Sequence, residues 1–492
     1  MDNIARPLTT SHGLSAGSGN DNKQDGLLEK FYHLKQKHQE GAYPTLDERK
    51  LKLQKMITLL QVHGEEIAAA VSQDFSYRAT TETLFLEVFP AINAIRYCLK
   101  HLKGWMKPRS RHISWMLRPA YAYLFPQPLG VVGVMVPWNY PVFLSLIPVA
   151  YALASGNKVM LKTSELSPHL GLLLVKLFHQ AGIAEDDLAI INGDVSVSKQ
   201  FSSLPFGHLM FTGSTRVGRE VMKAASENLT PVTLELGGKS PAIISQGVNE
   251  SLLARLFLGK CLNAGQTCIA PDYLLIADGQ ENNIKKAFQS FVANHYPDLL
   301  NNKDYTSIVS LQHKERLLAL LKDAKSKGAE IVTIGATSID ADSQKLPLSL
   351  VFNVTDDMHI MQEEIFGPIL PVKTYHTFHD ALDYIGQKPH PLALYYFGHD
   401  THEIGVLKRY SLSGALSVNE TIVHIAVDDL PFGGVGQSGM GSTHGKEGFD
   451  MFSKLRPVFV QRRFTLRSWF YPPYGKRVRW LLKFLGGIKL TS

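Results

Sequence analysis

Two α/β domains joined by a small accessory sheet are the fold predicted for this chain, and three observations lead there. At 492 residues the chain exceeds what a single hydrophobic core usually holds. From Gly130 onward, short apolar runs alternate with helical patterns, the texture of a parallel sheet covered on both faces. A second series of the same kind starts at Pro241 and runs to about Val418. Composition agrees: 45% hydrophobic and 19% charged residues describe a globular chain and exclude a disordered, fibrous or collagen-like one.

Taken in order, residues 1–26 are rich in Ser, Gly, Asn and Asp and are expected to form a loose leader. Thr45-Leu46-Asp47-Glu48 is a capping box opening a helix that turns Leu51, Met56, Leu59 and Leu60 inward. Helical pattern continues through 67–70 and 84–102, and 111–126 alternates enough to form an excursion hairpin. Strands follow at 131–136, 158–162, 188–191, 208–212 and 232–236, with helices after Pro141, after Pro168 and from Ser214. There is no internal repeat. The resulting division is a leader 1–26, a first domain of 27–110 and 128–237, and a second of 238–437. Segments 111–127 and 438–462 form the accessory sheet, and 463–492 is a tail.

The formal charge of +7 is no nucleic-acid signal. Eight of the 51 basic residues lie between Gln461 and Ser492, a stretch without acids, so the remaining 43 balance 44 acidic residues. Three cysteines cannot build a disulfide framework and point to a reducing compartment. The start has no apolar signal region, and the longest apolar stretch, 141–154, is too short to span a bilayer. A soluble, cytoplasmic protein is expected.

Cys98, among Ile95, Leu99 and Leu102, and Cys261, within the helical run 256–262, read as core. Cys268 stands apart. Its setting, Asn263-Ala264-Gly265-Gln266-Thr267-Cys268-Ile269-Ala270-Pro271, is turn-rich and follows a helix. A loop thiol able to ionise is what nucleophilic catalysis requires, although spacing alone still favours a buried small hydrophobe. Glu235 ends a strand before Gly237-Gly238, where a carboxylate points into a ligand crevice; a solvated strand end is the alternative. Gly213-Ser214-Thr215-Arg216-Val217-Gly218 follows a strand and opens a helix, presenting backbone N–H groups to an anion, with Thr215 at the middle glycine of G-x-G-x-x-G. His376-Thr377-Phe378-His379 lacks a third ligand, so no metal is expected.

These pieces form a collinear set. Pro137-Trp138-Asn139-Tyr140-Pro141, Leu161-Lys162-Thr163-Ser164-Glu165, Phe211-Thr212-Gly213-Ser214-Thr215, Leu234-Glu235-Leu236-Gly237-Gly238-Lys239, Gly265-Gln266-Thr267-Cys268, Glu363-Glu364-Ile365-Phe366-Gly367-Pro368 and Pro431-Phe432-Gly433-Gly434 occur in this order. In order and spacing the chain resembles the NAD(P)-dependent aldehyde dehydrogenases over about residues 27–460. The Cys268 segment with Asp272-Tyr273 looks like the class-3 branch. Ser438-Gly439-Met440-Gly441, His444 to Asp450 and Leu455-Arg456-Pro457 are similar to bacterial coniferyl-aldehyde dehydrogenases.

The resemblance implies a Rossmann-like NAD-binding domain, an α/β catalytic domain and a small bridging β-hairpin used in oligomerisation. It implies that Cys268 attacks the aldehyde carbon, that Asn139 and the Cys268 N–H hold the oxyanion, and that Glu235 activates the hydrolytic water. The product would be a free acid. The cofactor would be NAD, with NADP as the alternative, held by Trp138, Lys162, Glu165, Gly213, Ser214, Gly218, Leu236, Glu364 and Phe366. Lys162 and Glu165 would meet the adenosine ribose, Ser214 the pyrophosphate, and Glu364 and Phe366 the nicotinamide ribose and ring; Thr163 stands where the motif commonly has Pro. Tyr140 and Phe143, just beyond Asn139, are the aromatics expected to line a substrate channel.

The substrate implied is an aromatic, cinnamyl-type aldehyde, with a medium- or long-chain aliphatic aldehyde as runner-up and a catalytically silent scaffold as the reading from another class. Class-3 relatives also imply a homodimer formed through 111–126 and about 453–462, where Val458-Phe459-Val460 is an edge needing cover. In the tail, Val478, Leu481, Leu482 and Leu485 share one helical face while Lys476, Arg479 and Lys483 lie on another, with Trp480 and Phe484 between. Docking of the apolar face on the protein body or on a partner subunit is the first reading; weak contact with an anionic membrane surface is the second.

Overall fold

The structure is a computed structural model and describes residues 21–335, 343–463, 471–486 and 489. Its strands, in chain order, are β1 (Arg109–Arg111), β2 (Tyr121–Pro128), β3 (Val131–Met135), β4 (Lys158–Lys162), β5 (Leu188–Ile191), β6 (His208–Gly213), β7 (Val232–Leu236) and β8 (Pro241–Ile244). They continue as β9 (Tyr273–Ala277), β10 (Glu330–Ile334), β11 (Leu348–Phe352), β12 (Ile369–Tyr375), β13 (Ala393–Phe397), β14 (Ala415–Val418), β15 (Gly439–Met440) and β16 (Ser453–Val460). These form three sheets of order β15-β7-β6-β3-β4-β5, β10-β11-β12-β9-β8-β13-β14 and β1-β2-β16.

The first sheet is parallel except for β15, and its topology decides where a ligand can sit. From β3 the chain winds to β4 and β5 on one side, then crosses back so that β6 and β7 lie on the other. The crevice beyond the carboxyl ends of β3 and β6 is therefore a topological switch point, the place where such sheets bind ligands. The helix Pro141–Ala154 packs across this sheet; nearly every one of its residues is buried, which is why its pattern is continuously apolar. The second sheet is parallel except at its β10 edge and encloses the larger core, with Leu274, Leu350, Leu394 and Phe397 inaccessible.

The expected two α/β units with an accessory sheet are present, and β4, β5 and β7 span the expected residues. Four local expectations change. A helix, Asp21–Glu40, begins inside the segment expected to be a leader, because Leu27, Phe31 and Leu34 make one stripe that buries against Val131, Met160 and Leu209. In the helix Leu46–Asp74 the capping box forms, with Glu48 N–H donating to Thr45 Oγ1, but Leu51 is 53% exposed. It lies two residues from buried Leu53, about 200° around the axis at 3.6 residues per turn. The helical stretch 84–102 is interrupted by a π-turn at Leu84–Val88 before Phe89–Trp105. Gly439–Met440, expected in the accessory sheet, adds antiparallel to β7 opposite Glu235 and Leu234.

In the accessory sheet, β16 pairs along its whole length with β2, while its other edge has no strand partner among the described residues. Of the tail, Arg463, residues 471–486 and Lys489 are described. The helix Lys476–Gly486 buries Val478 and leaves Trp480 and Phe484 exposed, stacked on each other with ring centroids 5.2 Å apart. No helix among the described residues is long and apolar enough to cross a membrane.

Candidate active site

The Cys268 loop is built by backbone conformation. After the helix Glu250–Cys261, Asn263, Ala264 and Gly265 all take positive φ, at 51°, 50° and 74°. A Cβ at Gly265 would fall 2.4 Å from the Gly367 carbonyl oxygen, so only glycine fits there. Gln266 is fully buried and fastens the turn: its amide N–H groups donate to the carbonyls of Asn263 and Ser307, each at 3.0 Å, and its Oε1 accepts from Val309 N–H. The turn-rich motif is a rigid spiral that presents Cys268 at its end. Burial pushes the Cys268 thiol up to about 12, and the carboxylates of Glu364 and Glu235 add to this, while the N–H groups of Cys268 and Ile269 face the sulfur and oppose it. By contrast Cys98 and Cys261 are buried within helices, and burial pushes both thiols up.

Asn139 and Glu235 converge on this thiol from the first sheet. Asn139 is buried, and its Nδ2 donates to the Gln266 carbonyl at 3.1 Å, which leaves the second amide hydrogen to serve a ligand. Its own carbonyl accepts from Asn263 Nδ2 at 3.0 Å and from Arg78 Nη1 at 3.2 Å. Glu235, 4% exposed at the end of β7, has neither carboxylate oxygen hydrogen-bonded. Desolvation without compensation raises its carboxyl well above the ordinary range. An orphaned buried carboxylate is costly to keep and is a mark of a functional group.

Two cavities meet here. A polar cleft of about 600 Å³ is lined by Trp138, Asn139, Gly213, Ser214, Glu364 and Phe366, among others. A narrow apolar cavity is lined by residues including Phe143, Ile147, Leu392, Phe432 and Met451. Thr212, Glu235 and Cys268 line both. Phe143 lines the apolar cavity. Tyr140 lines neither; its hydroxyl bonds Thr267 Oγ1 at 2.8 Å and its ring carries Arg78, so it props the cysteine loop from behind.

The polar cleft suits a dinucleotide. Gly213 and Ser214 end β6, and Ser214 Oγ caps the helix Thr215–Ser226 through Val217 N–H. A Cβ at Gly218 would collide with Leu236, so this glycine sets helix against sheet. At Gly237 a Cβ would fall 2.1 Å from the Glu364 carboxylate, whose Oε1 has no partner. Burial raises Glu364 to about 8. Phe366, at φ 53°, packs edge-on to Trp138 at 5.5 Å. Lys162 is buried, donating to the carbonyls of Thr163 and Gly193, and Glu165 lies exposed three residues on; neither lines the cleft itself.

Several contributors carry no local sequence signal. Arg78 and Glu87 form a fully buried ion pair at 2.8 Å; Glu87 also accepts from the N–H groups of Val142 and Phe143, capping the helix that follows Asn139. His313 and Arg316, from the helix Leu311–Ser326, line the cleft, and Arg316 donates to the carbonyls of Glu364 and Ile365. Asp272 accepts from Ile365 N–H and pairs with Lys239, holding the Glu364 loop.

Fold and site together define an α/β enzyme in which a loop thiol lies between a polar cleft and an apolar cavity. The chain belongs to the aldehyde dehydrogenase family, whose model matches residues 35–458, and it is an NAD(P)-dependent aldehyde dehydrogenase. It is 47% identical over 440 residues to a Pseudomonas aeruginosa protein named "Probable coniferyl aldehyde dehydrogenase", covering 89% of this chain and 92% of that one. It is 41% identical over 461 residues to a coniferyl aldehyde dehydrogenase of a Pseudomonas species, covering 92% and 94%. Among solved structures, Staphylococcus aureus AldH in a substrate-bound state matches with a TM-score of 0.88 at 34% identity, over 93% of this chain and 99% of that one.

Proposed function

We propose that this enzyme oxidises an aromatic, coniferyl-type aldehyde to its carboxylic acid, using NAD and a covalent intermediate on Cys268. One observation carries the reading: Thr212, Glu235 and Cys268 are shared by the polar cleft and the apolar cavity, so oxidant and substrate have separate routes to one thiol. The names of two relatives at 41% and 47% identity support the coniferyl-type substrate.

In this mechanism the Cys268 thiolate attacks the aldehyde carbon, forming a C–S bond and an oxyanion. The free amide hydrogen of Asn139 and the Cys268 N–H stabilise that oxygen. When bound, the nicotinamide cofactor supplies the two-electron oxidant that takes the aldehyde hydrogen with its electron pair. The acyl group then remains on Cys268 as a thioester. Glu235 removes a proton from water, the water oxygen bonds the acyl carbon, and the C–S bond breaks to release the acid and regenerate the thiolate. Gly213, Ser214, Gly218 and Leu236 would hold the phosphate end of the cofactor, Glu364, Phe366 and Trp138 its nicotinamide end, and Lys162 and Glu165, just beyond the cleft, the adenosine ribose. A carboxylate at Glu165 repels a 2′-phosphate, which favours NAD over NADP.

Steady-state kinetics with coniferyl aldehyde and an alkanal of similar size, under each cofactor, test the reading. The expected result is a higher kcat/KM for the aromatic aldehyde with NAD, abolished in Cys268→Ala with NAD binding retained. A higher kcat/KM for the alkanal, or turnover in Cys268→Ala, would overturn it.

A further inference from the structure

Among the polar groups lining the apolar cavity that the proposed chemistry leaves unused, His444 is the one with an unpartnered ring nitrogen. His444 is 4% exposed, and its Nε2 is buried with no hydrogen-bond partner. Its surroundings hold the ring still. Phe143 stacks on it with centroids 5.8 Å apart, and Phe432 meets it edge-on at 5.6 Å. The backbone at His444 has φ 68°, a conformation a non-glycine side chain adopts only when the surrounding structure over-determines it.

The hydrogen bonds set which nitrogen carries the proton. Thr443 Oγ1 lies 3.3 Å from the Phe432 carbonyl oxygen, an acceptor only that also takes the Thr443 N–H at 2.7 Å, and the two contacts of Oγ1 are satisfied together only when its hydroxyl donates there. The same Oγ1 lies 2.9 Å from His444 Nδ1 and must then accept from an Nδ1–H. Burial holds the imidazole at about 4, reinforced by nearby His424, so the ring is neutral with one proton. With Nδ1 protonated, Nε2 is a bare lone pair within an apolar wall.

We propose that His444 Nε2 is a specificity-determining acceptor that selects aldehydes bearing a hydroxyl remote from the carbonyl, such as a phenol on an aromatic ring. The proposal rests on the reading that Cys268 takes the carbonyl end of the substrate in this cavity. A buried acceptor rewards the substrate that satisfies it and penalises the analogue that leaves it empty. The free space is about 30 Å³, so an aromatic ring enters by displacing side chains, and Met451, flexible and lining the cavity, is suited to yield. A neutral acceptor, unlike a carboxylate, receives a phenol without adding charge to a wall already holding Glu235.

The test compares 4-hydroxy-3-methoxycinnamaldehyde with 3-methoxycinnamaldehyde, which lacks only the hydroxyl and adds no bulk. The wild-type enzyme should favour the phenol in kcat/KM by about tenfold to a hundredfold. In His444→Phe, which keeps the ring and removes the acceptor, that preference should fall to about unity, mostly through KM. A wild-type ratio near one, or a ratio that survives His444→Phe, would overturn the proposal. Should that variant not fold, 4-propylphenol and propylbenzene as competitive inhibitors of the wild-type enzyme provide the same contrast, and equal inhibition by the two would overturn it. Turnover of alkanals but of neither cinnamaldehyde would instead count against the aromatic substrate reading, while the phenol and arene inhibitors would still report on His444.

Discussion

At the scale of single residues, Glu235 joins structure to mechanism most directly, because its two oxygens are buried and unbonded. Glu235→Gln should slow hydrolysis of the thioester far more than its formation; stopped-flow traces should show a burst of reduced cofactor followed by slow turnover. Equal slowing of both phases would mean that Glu235 also acts before the oxidation step. Its raised carboxyl gives a signed pH dependence as well. As base it works deprotonated, so the deacylation rate should rise with pH through its elevated value. As a buried carboxyl whose folded-state value exceeds the unfolded one, it contributes stability that is complete below the unfolded value and is lost as pH rises through the folded one. The melting temperature of Glu235→Gln should therefore fall less between neutral and alkaline pH than that of the wild type, and parallel curves would count against this assignment.

At the scale of elements, the site depends on how the helix Pro141–Ala154 is started. Tyr140 at its N-cap makes no side-chain cap bond; Glu87, from the π-turn, fills the role from 55 residues away by accepting from Val142 N–H at 2.7 Å. The same carboxylate balances Arg78, which in turn donates to the Asn139 carbonyl. Glu87→Gln removes the closer of the two carboxylates beside the buried Arg78 guanidinium, leaving Glu82 at 3.9 Å, and should cost about 3 kcal/mol, measurable by denaturant unfolding. It should also lower the oxidation rate through Asn139. A stability loss below about 1 kcal/mol would show that water or Glu82 takes over the charge. None of this network is visible as a sequence motif, because Arg78, Glu87, Asn139 and Asn263 lie far apart in the chain and meet only in the fold.

At the scale of the whole molecule, two surfaces carry exposed aromatic side chains. The outer edge of β16 is unpaired among the described residues and carries Phe459 at 52% exposure. An open edge strand with an exposed aromatic is a pairing surface, and we expect a homodimer through the accessory sheet. Light scattering should give twice the 54.7 kDa chain mass, and a monomer mass would refute the dimer. The helix Lys476–Gly486 exposes Trp480 and Phe484 beside its basic residues, at 60% and 71%. Of its apolar face Val478 is buried, Leu481 and Leu485 are half-buried and Leu482 is 39% exposed. Co-sedimentation with anionic vesicles should thus be stronger for the full chain than for one truncated at Phe470; equal sedimentation would dismiss the membrane reading.

By itself the sequence determined the α/β series, the strands β4, β5 and β7, the capping box at Thr45, and the identity of Cys268, Glu235 and Asn139 as candidates. The strands and the capping box rest on local information, periodicity and turn chemistry, whereas Cys268, Glu235 and Asn139 stand out through motifs collinear with those of a known family. Only the tertiary structure decided that Thr212, Glu235 and Cys268 line two cavities at once, that Tyr140 braces a loop while Phe143 faces the cavity, and that Leu51 is exposed. It also decided the protonation logic of His444, since Thr443 and Phe432 must come together across an isolated bridge before Nε2 becomes the free lone pair. The division is physical. Backbone propensity and apolar spacing act over a few residues, whereas burial, hydrogen-bond competition and the direction of a pKa shift depend on what packs from elsewhere in the chain.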